Sequence, residues 1–197
     1  MNARRKAWLT LLESRAKKYV RRKDIGERVL SNPVPLEALS KIERDLKGIP
    51  HAIIGGHAVT IHGQPRLTSD VDVLIDPSHV DAAIEQLDGT IIKPLSIGGM
   101  AINSNGIDVD LVAPHKAWLS SAIAGANATK YGYIISKPYL VLTKLWSSRG
   151  EQDDTDVIGV IRNMNDEEIT QTRKLIGRYL SNEVDDLEQF IKMKEII

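Results

Sequence analysis

Ile53-Ile54-Gly55-Gly56-His57-Ala58-Val59-Thr60-Ile61-His62-Gly63-Gln64-Pro65-Arg66-Leu67-Thr68-Ser69-Asp70-Val71-Asp72-Val73-Leu74-Ile75-Asp76 carries a glycine pair and, downstream of it, acids alternating with aliphatics. His51–Ile54 reads as a short buried strand that runs into a glycine pair, and Ala58–His62 then reads as a short helix closed by Gly63. Without side chains, a Gly-Gly turn lets the backbone approach a polyphosphate and aim N–H groups at it. Asp70–Ile75 alternates acid with aliphatic, the period of a strand. That period puts Asp70 and Asp72 on one face, about 6.6 Å apart along the strand. Paired carboxylates of this kind suit hard cations such as Mg²⁺, which take oxygen ligands.

A second strand carries the same signal. Ile107-Asp108-Val109-Asp110-Leu111-Val112 holds another same-face acid pair. A lone Gly-Gly is weak evidence, and a lone Asp-x-Asp on a strand edge is usually solvated. Two acids on each of two aliphatic strands are harder to dismiss. Burial of such acids without a cation costs several kcal/mol each, a cost that an edge-exposed sheet avoids.

Outward from this centre, Leu36, Leu39, Ile42 and Leu46 make an amphipathic helix stopped by Gly48 and Pro50. Upstream, Trp8, Leu12, Ala16, Tyr19 and Val20 predict a helix over 5–22. The prolines at 33 and 35 break the chain between the two. Asp76-Pro77 opens a helix whose buried stripe is Val80, Ala83, Ile84 and Leu87. Strands are expected at 91–95, 99–103, 107–112 and 131–135, with Asn103-Ser104-Asn105-Gly106 turning the second into the third. Lys116–Ala124 reads as a helix. Four more helices are expected near 138–149, 153–163, 167–179 and 183–195. The fold class is α+β: a mixed sheet flanked by helices. Residues 1–50 form a helical N-terminal extension, 51–136 the α/β core, and 137–197 a helical C-terminal region.

Composition narrows the function. The 197 residues include 26 Lys+Arg and 26 Asp+Glu, so the formal net charge is zero and overall attraction to nucleic acid or anionic membrane is not built in. No cysteine is present, which excludes disulfides, thiolate metal sites and cysteine nucleophiles. The five histidines lack zinc-ligand spacing, and only His57 is placed to visit the Gly-Gly turn. No apolar run reaches the roughly 18 residues of a membrane span. Basic residues before Ala7-Trp8-Leu9 mimic a signal peptide, but the apolar stretch is short and is followed at once by charge. The expectation is a cytoplasmic protein with no membrane contact. Charge is nevertheless uneven. Residues 1–23 carry nine Lys/Arg against Glu13 alone, and residues 151–197 carry twelve acids against six bases. Two readings stay open for the basic head: a solvated helix face, or an arm that meets RNA phosphates.

The pattern of Gly55-Gly56, His62-Gly63, Arg66, Thr68, Asp70, Asp72 and Asp76 resembles the signature of the nucleotidyltransferase superfamily that includes DNA polymerase beta. It most resembles the minimal members, among them the AbiE-type toxins. The resemblance implies a nucleotidyltransferase-like mixed sheet and transfer of a nucleoside monophosphate from an NTP such as ATP to RNA or tRNA, a protein hydroxyl or a small molecule. It implies two Mg²⁺ held by Asp70, Asp72 and a third acid on the neighbouring strand. The register favours Asp110, with Asp108 the alternative, and the same acid is the candidate to take the acceptor's proton. Gly55, Gly56, Arg66, Thr68 and Lys144 are implied to hold the nucleotide. Lys144-Leu145 with Arg149, Asp153 and Asp156 looks like the family's Lys-Leu…Arg…Asp-x-x-Asp motif. Read without the resemblance, Lys144 is a snorkelling surface lysine and Arg149 pairs with Asp153 along one helix. An RNA acceptor would enter through basic residues 4–23, and a toxin of this type would have an antitoxin partner. The rival is a non-catalytic protein that keeps the fold as a binding module. Two departures stand out: the second turn residue is Gly56 rather than serine, and His57 follows where small or apolar residues are usual.

Overall fold

A computed structural model describes residues 34–147 and 150–196. The helix expected over 5–22, and with it the basic head, lies outside these residues.

Helix α1 (Glu37–Asp45) leads into β1 (His51–Ile53), α2 (Gly55–Ile61) and β2 (Asp70–Ile75). A 3-10 turn (Pro77–His79) and α3 (Val80–Gln86) follow, then β3 (Thr90–Pro94), β4 (Gly99–Ser104) and β5 (Ile107–Val112). Next come α4 (Leu119–Ala124), β6 (Asn127–Thr129) and β7 (Gly132–Ile134). The remaining helices are α5 (Lys137–Ser147), α6 (Glu151–Arg162), α7 (Asp166–Tyr179) and, after a 3-10 turn, α8 (Val184–Ile196).

The sheet runs β3-β4-β5-β2-β1-β7-β6. β2 is antiparallel to β1 and parallel to β5, so the chain crosses over between them through α3, β3 and β4. The mixed sheet flanked by helices is the architecture expected of the sequence. Period-two alternation sends Val71, Val73, Val109 and Leu111 to one face, where all four are fully buried. Strand pairing aligns Asp70 with Asp108 and Asp72 with Asp110, so the four acids share the opposite face. β4 and β5 meet in a two-residue hairpin whose central Asn105 and Gly106 both have positive φ, the type I′ geometry that Asn-Gly favours.

Two helix starts differ from the expectation by three residues, and one strand was not expected at all. α2 begins at Gly55 rather than Ala58, because the glycine pair is itself the first helical turn. α4 begins at Leu119. β6 was not expected: it is three exposed residues paired to β7, with no apolar alternation to announce it.

The C-terminal helices pack on one another and, through α5 and α6, on α2. α7 is opened by a capping box in which Asn165 and Glu168 exchange side-chain and backbone hydrogen bonds. At the other end of the sheet, Glu43 of α1 accepts from His51 Nε2 at 3.1 Å and from the Tyr133 N–H at 3.1 Å. One carboxylate thus fastens α1 to β1 and β7.

Candidate active site

Asp70, Asp72 and Asp110 offer one carboxylate oxygen each within 4.8 Å of one another. The cause is the register: two parallel strands in phase bring same-face acids side by side. All three are half-buried. Three half-buried carboxylates this close repel one another, and an all-oxygen donor set fits a divalent cation. Asp108 stands on the same face but outside the group. It is exposed, and its Oδ1 accepts from Asn103 Nδ2 at 2.7 Å across the hairpin turn.

The Gly-Gly turn sits directly against this group. The Ile54 N–H donates to the Asp72 carbonyl at 2.9 Å, which locks the end of β1 onto β2. Gly55 has φ +61, and a Cβ there would fall inside the Asp72 carboxylate. Only glycine satisfies both the backbone angle and the close approach. A Cβ on Gly56 would lie 2.9 Å from Thr68 Cβ and 3.4 Å from Arg66 Cζ. The glycine at the second position therefore has a local reason: Thr68 already fills the volume a side chain would need. The Thr68 hydroxyl donates to Asp70 Oδ1 at 2.6 Å and fixes that carboxylate.

A pocket opens between the turn and the C-terminal helices. Gly55, Gly56, Asp70 and Asp72 line one side; Thr143, Lys144, Trp146 and Asp153 line the other, with Arg66 between them. Lys144 is buried, contrary to a snorkelling surface lysine. Its Nζ donates to Asp153 Oδ1 at 2.9 Å and Asp156 Oδ2 at 2.8 Å. The same Asp156 oxygen accepts from Arg66 Nη1 at 2.6 Å. Asp153 is thus engaged by Lys144, and Arg149 lies outside the described residues. Asp156 and Gln152 carry roles that the motif alone did not assign. The Asp-x-x-Asp spacing places Asp153 and Asp156 on one helix face, but nothing in it says which cations they meet.

His57 does not line the pocket. Its Nε2–H donates to the Val34 carbonyl at 3.0 Å, while the Val34 N–H donates to the Thr68 carbonyl at 2.9 Å. Burial holds its pKa below the usual histidine value, opposed by the Val34 hydrogen bond and the nearby Asp70 charge. His62, which donates to the Ile135 carbonyl at 2.6 Å, is lowered by burial as well.

No family model matches the sequence, and no curated protein matches it. Solved structures do show likeness. One is ANT(2'')-Ia in complex with adenylyl-2''-tobramycin, at 15% identity and TM-score 0.46, covering 81% of this chain and 98% of that one. A second is a protein from H. pylori provisionally classed as a nucleotidyltransferase, at 13% identity and TM-score 0.45, covering 87% and 95%. A third is JHP933 from Helicobacter pylori, at 15% identity and TM-score 0.44, covering 88% and 93%. Among the described residues, no helix is long and apolar enough to cross a membrane.

Proposed function

We propose that the protein is a Mg²⁺-dependent nucleotidyltransferase that moves a nucleoside monophosphate from an NTP to an acceptor and releases pyrophosphate. The observation that carries this reading is the meeting of Asp70, Asp72 and Asp110 beside a glycine turn that admits no side chain. Asp70, Asp72 and Asp110 would hold the cations through their carboxylate oxygens. Bound there, the cations supply charge neutralisation for an in-line displacement at the α-phosphorus.

The chain's own groups do the rest. N–H groups of the first turn of α2 have no intrahelical acceptor, so the Gly55-Gly56 backbone faces the phosphates. Lys144 sets positive charge on the opposite wall, and Arg66 sets it between the two. Thr68 holds Asp70 in one orientation. An acceptor hydroxyl attacks the α-phosphorus, the bond to the β-phosphate oxygen breaks, and the hydroxyl proton passes to the Asp110 carboxylate. For the acceptor, the nine basic residues among the first 23 favour RNA, which an antitoxin-like partner would then occlude.

The test is incubation with Mg²⁺, each of the four NTPs and candidate acceptors, followed by mass spectrometry and pyrophosphate release. The expected product is an acceptor heavier by one nucleoside monophosphate, absent with Asp70→Asn. Nucleotide binding without transfer to any acceptor would favour the non-catalytic binding module. Charge reversal of Arg21, Arg22 and Lys23 should weaken tRNA binding and flatten its salt dependence; unchanged tRNA binding would redirect the search to protein and small-molecule acceptors.

A further inference from the structure

Resting on the nucleotide reading above, we infer that Asp156 is the positioning residue that orients both cations of the pocket wall toward a polyphosphate. Arg66 and Lys144 arrive from different parts of the chain, one on the loop between α2 and β2, the other on α5. A single carboxylate on α6 joins them. Asp156 is 1% exposed, and its Oδ2 accepts from both Arg66 Nη1 and Lys144 Nζ. Its Oδ1 accepts from Gln152 Nε2 at 3.1 Å, so the carboxylate plane is held as well.

Stability alone gives a poor reason for this arrangement. Buried ion pairs often do no better than well-packed apolar residues of the same volume. Orientation gives a better one. Lys144 has three N–H donors and spends two on Asp153 and Asp156; Arg66 has five and spends one on Asp156. Both side chains line the pocket that holds Gly55, Gly56, Asp70 and Asp72. Long cationic side chains lose much rotamer freedom when they grip a ligand. Here that freedom is already removed before any ligand arrives, which is preorganisation.

The inference makes the effect of Asp156 grow with the number of phosphates. Titration calorimetry with Mg²⁺ would compare a nucleoside triphosphate with its monophosphate on wild type, Asp156→Asn, Arg66→Met and the double variant. Asp156→Asn should weaken the triphosphate by about tenfold or more, the scale of one charge-assisted hydrogen bond, and the monophosphate far less. Arg66→Met should act in the same sense. The double variant should lose less than the sum of the two single losses, because the two share one contact. Equal losses for both nucleotides, or additive losses in the double variant, would overturn the inference. If thermal melting shows Asp156→Asn unfolded, Arg66→Met decides: an unchanged triphosphate-to-monophosphate ratio overturns it. A wild type that binds no Mg·NTP overturns the nucleotide reading and this inference with it. Wild-type binding with a fully active Asp156→Asn sinks the inference alone.

Discussion

Asp72 keeps its place because residue 55 has no side chain. Gly55→Ala would put a methyl group into the Asp72 carboxylate and strain a backbone at φ +61, where an L-residue pays about 1–2 kcal/mol. The expected outcome is a loss of stability of at least that size, together with loss of Mg²⁺-dependent nucleotide binding, checked by urea unfolding and calorimetry on one preparation. Gly56→Ser should fail for a different reason, its Cβ meeting Thr68. Adding Thr68→Gly, which removes the Cβ that the new side chain meets, should then recover stability lost to the clash, but not the Asp70 orientation that the Thr68 hydroxyl provides. A double variant no more stable than Gly56→Ser would contradict this packing account. From sequence, the two glycines read as a phosphate-admitting turn. Their separate duties, one to a carboxylate and one to a threonine, depend on contacts with residues 12 to 17 positions away and are not visible locally.

At the scale of elements, α2 carries a pH dependence. His57 and His62 both sit below the ordinary histidine value of 6.5, chiefly through burial. The unfolded chain therefore binds more protons than the folded one as pH falls below about 6.5, and stability is present above that value and lost beneath it. Urea midpoints should fall between about pH 7.5 and pH 5.5, and His57→Gln, which keeps an N–H for the Val34 carbonyl, should shallow the slope. A slope identical in the variant would show that other groups carry the effect. On α7, Asn165→Ala should cost about 1 kcal/mol through the lost cap, read from the same unfolding curves. The strands that alternate over six residues, β2 and β5, were legible because burial of one face imposes a period. The Asn105-Gly106 hairpin was legible because few other pairs tolerate two positive φ values. β6 was not, being three residues whose pairing rests on the backbone alone.

For the whole molecule, the network of Arg66, Asp156, Lys144 and Asp153 joins the sheet's loops to the C-terminal helices. An exposed lysine pair is worth about 0–1 kcal/mol. Loss of one partner from a buried pair costs about 3–5 kcal/mol, since the remaining charges stay buried. Lys144→Met should therefore destabilise the protein by an amount near the second range, and unfolding should remain a single transition. A change under about 1 kcal/mol would show Lys144 to be a surface residue in practice. The sequence exposed Lys144 and the Asp-x-x-Asp pair as a motif. It could not show that the lysine points inward, because its partners are on the next helix and the spacing does not say how the two helices face.

The role proposed for Asp70, Asp72 and Asp110 is a cation site that enables nucleotide binding. Calorimetric titration of the four NTPs, with and without Mg²⁺, tests it most directly on wild type, Asp70→Asn and Asp72→Asn. The expected result is binding of at least one NTP to wild type only when Mg²⁺ is present. Each variant should lose more than the roughly 10–100-fold that removal of an outer-shell partner costs a metal site. Thermal stability of both variants without metal should hold or rise slightly, as like-charge repulsion is relieved. Mg²⁺-independent binding, or equal affinity in wild type and both variants, would rule out a cation site at these carboxylates.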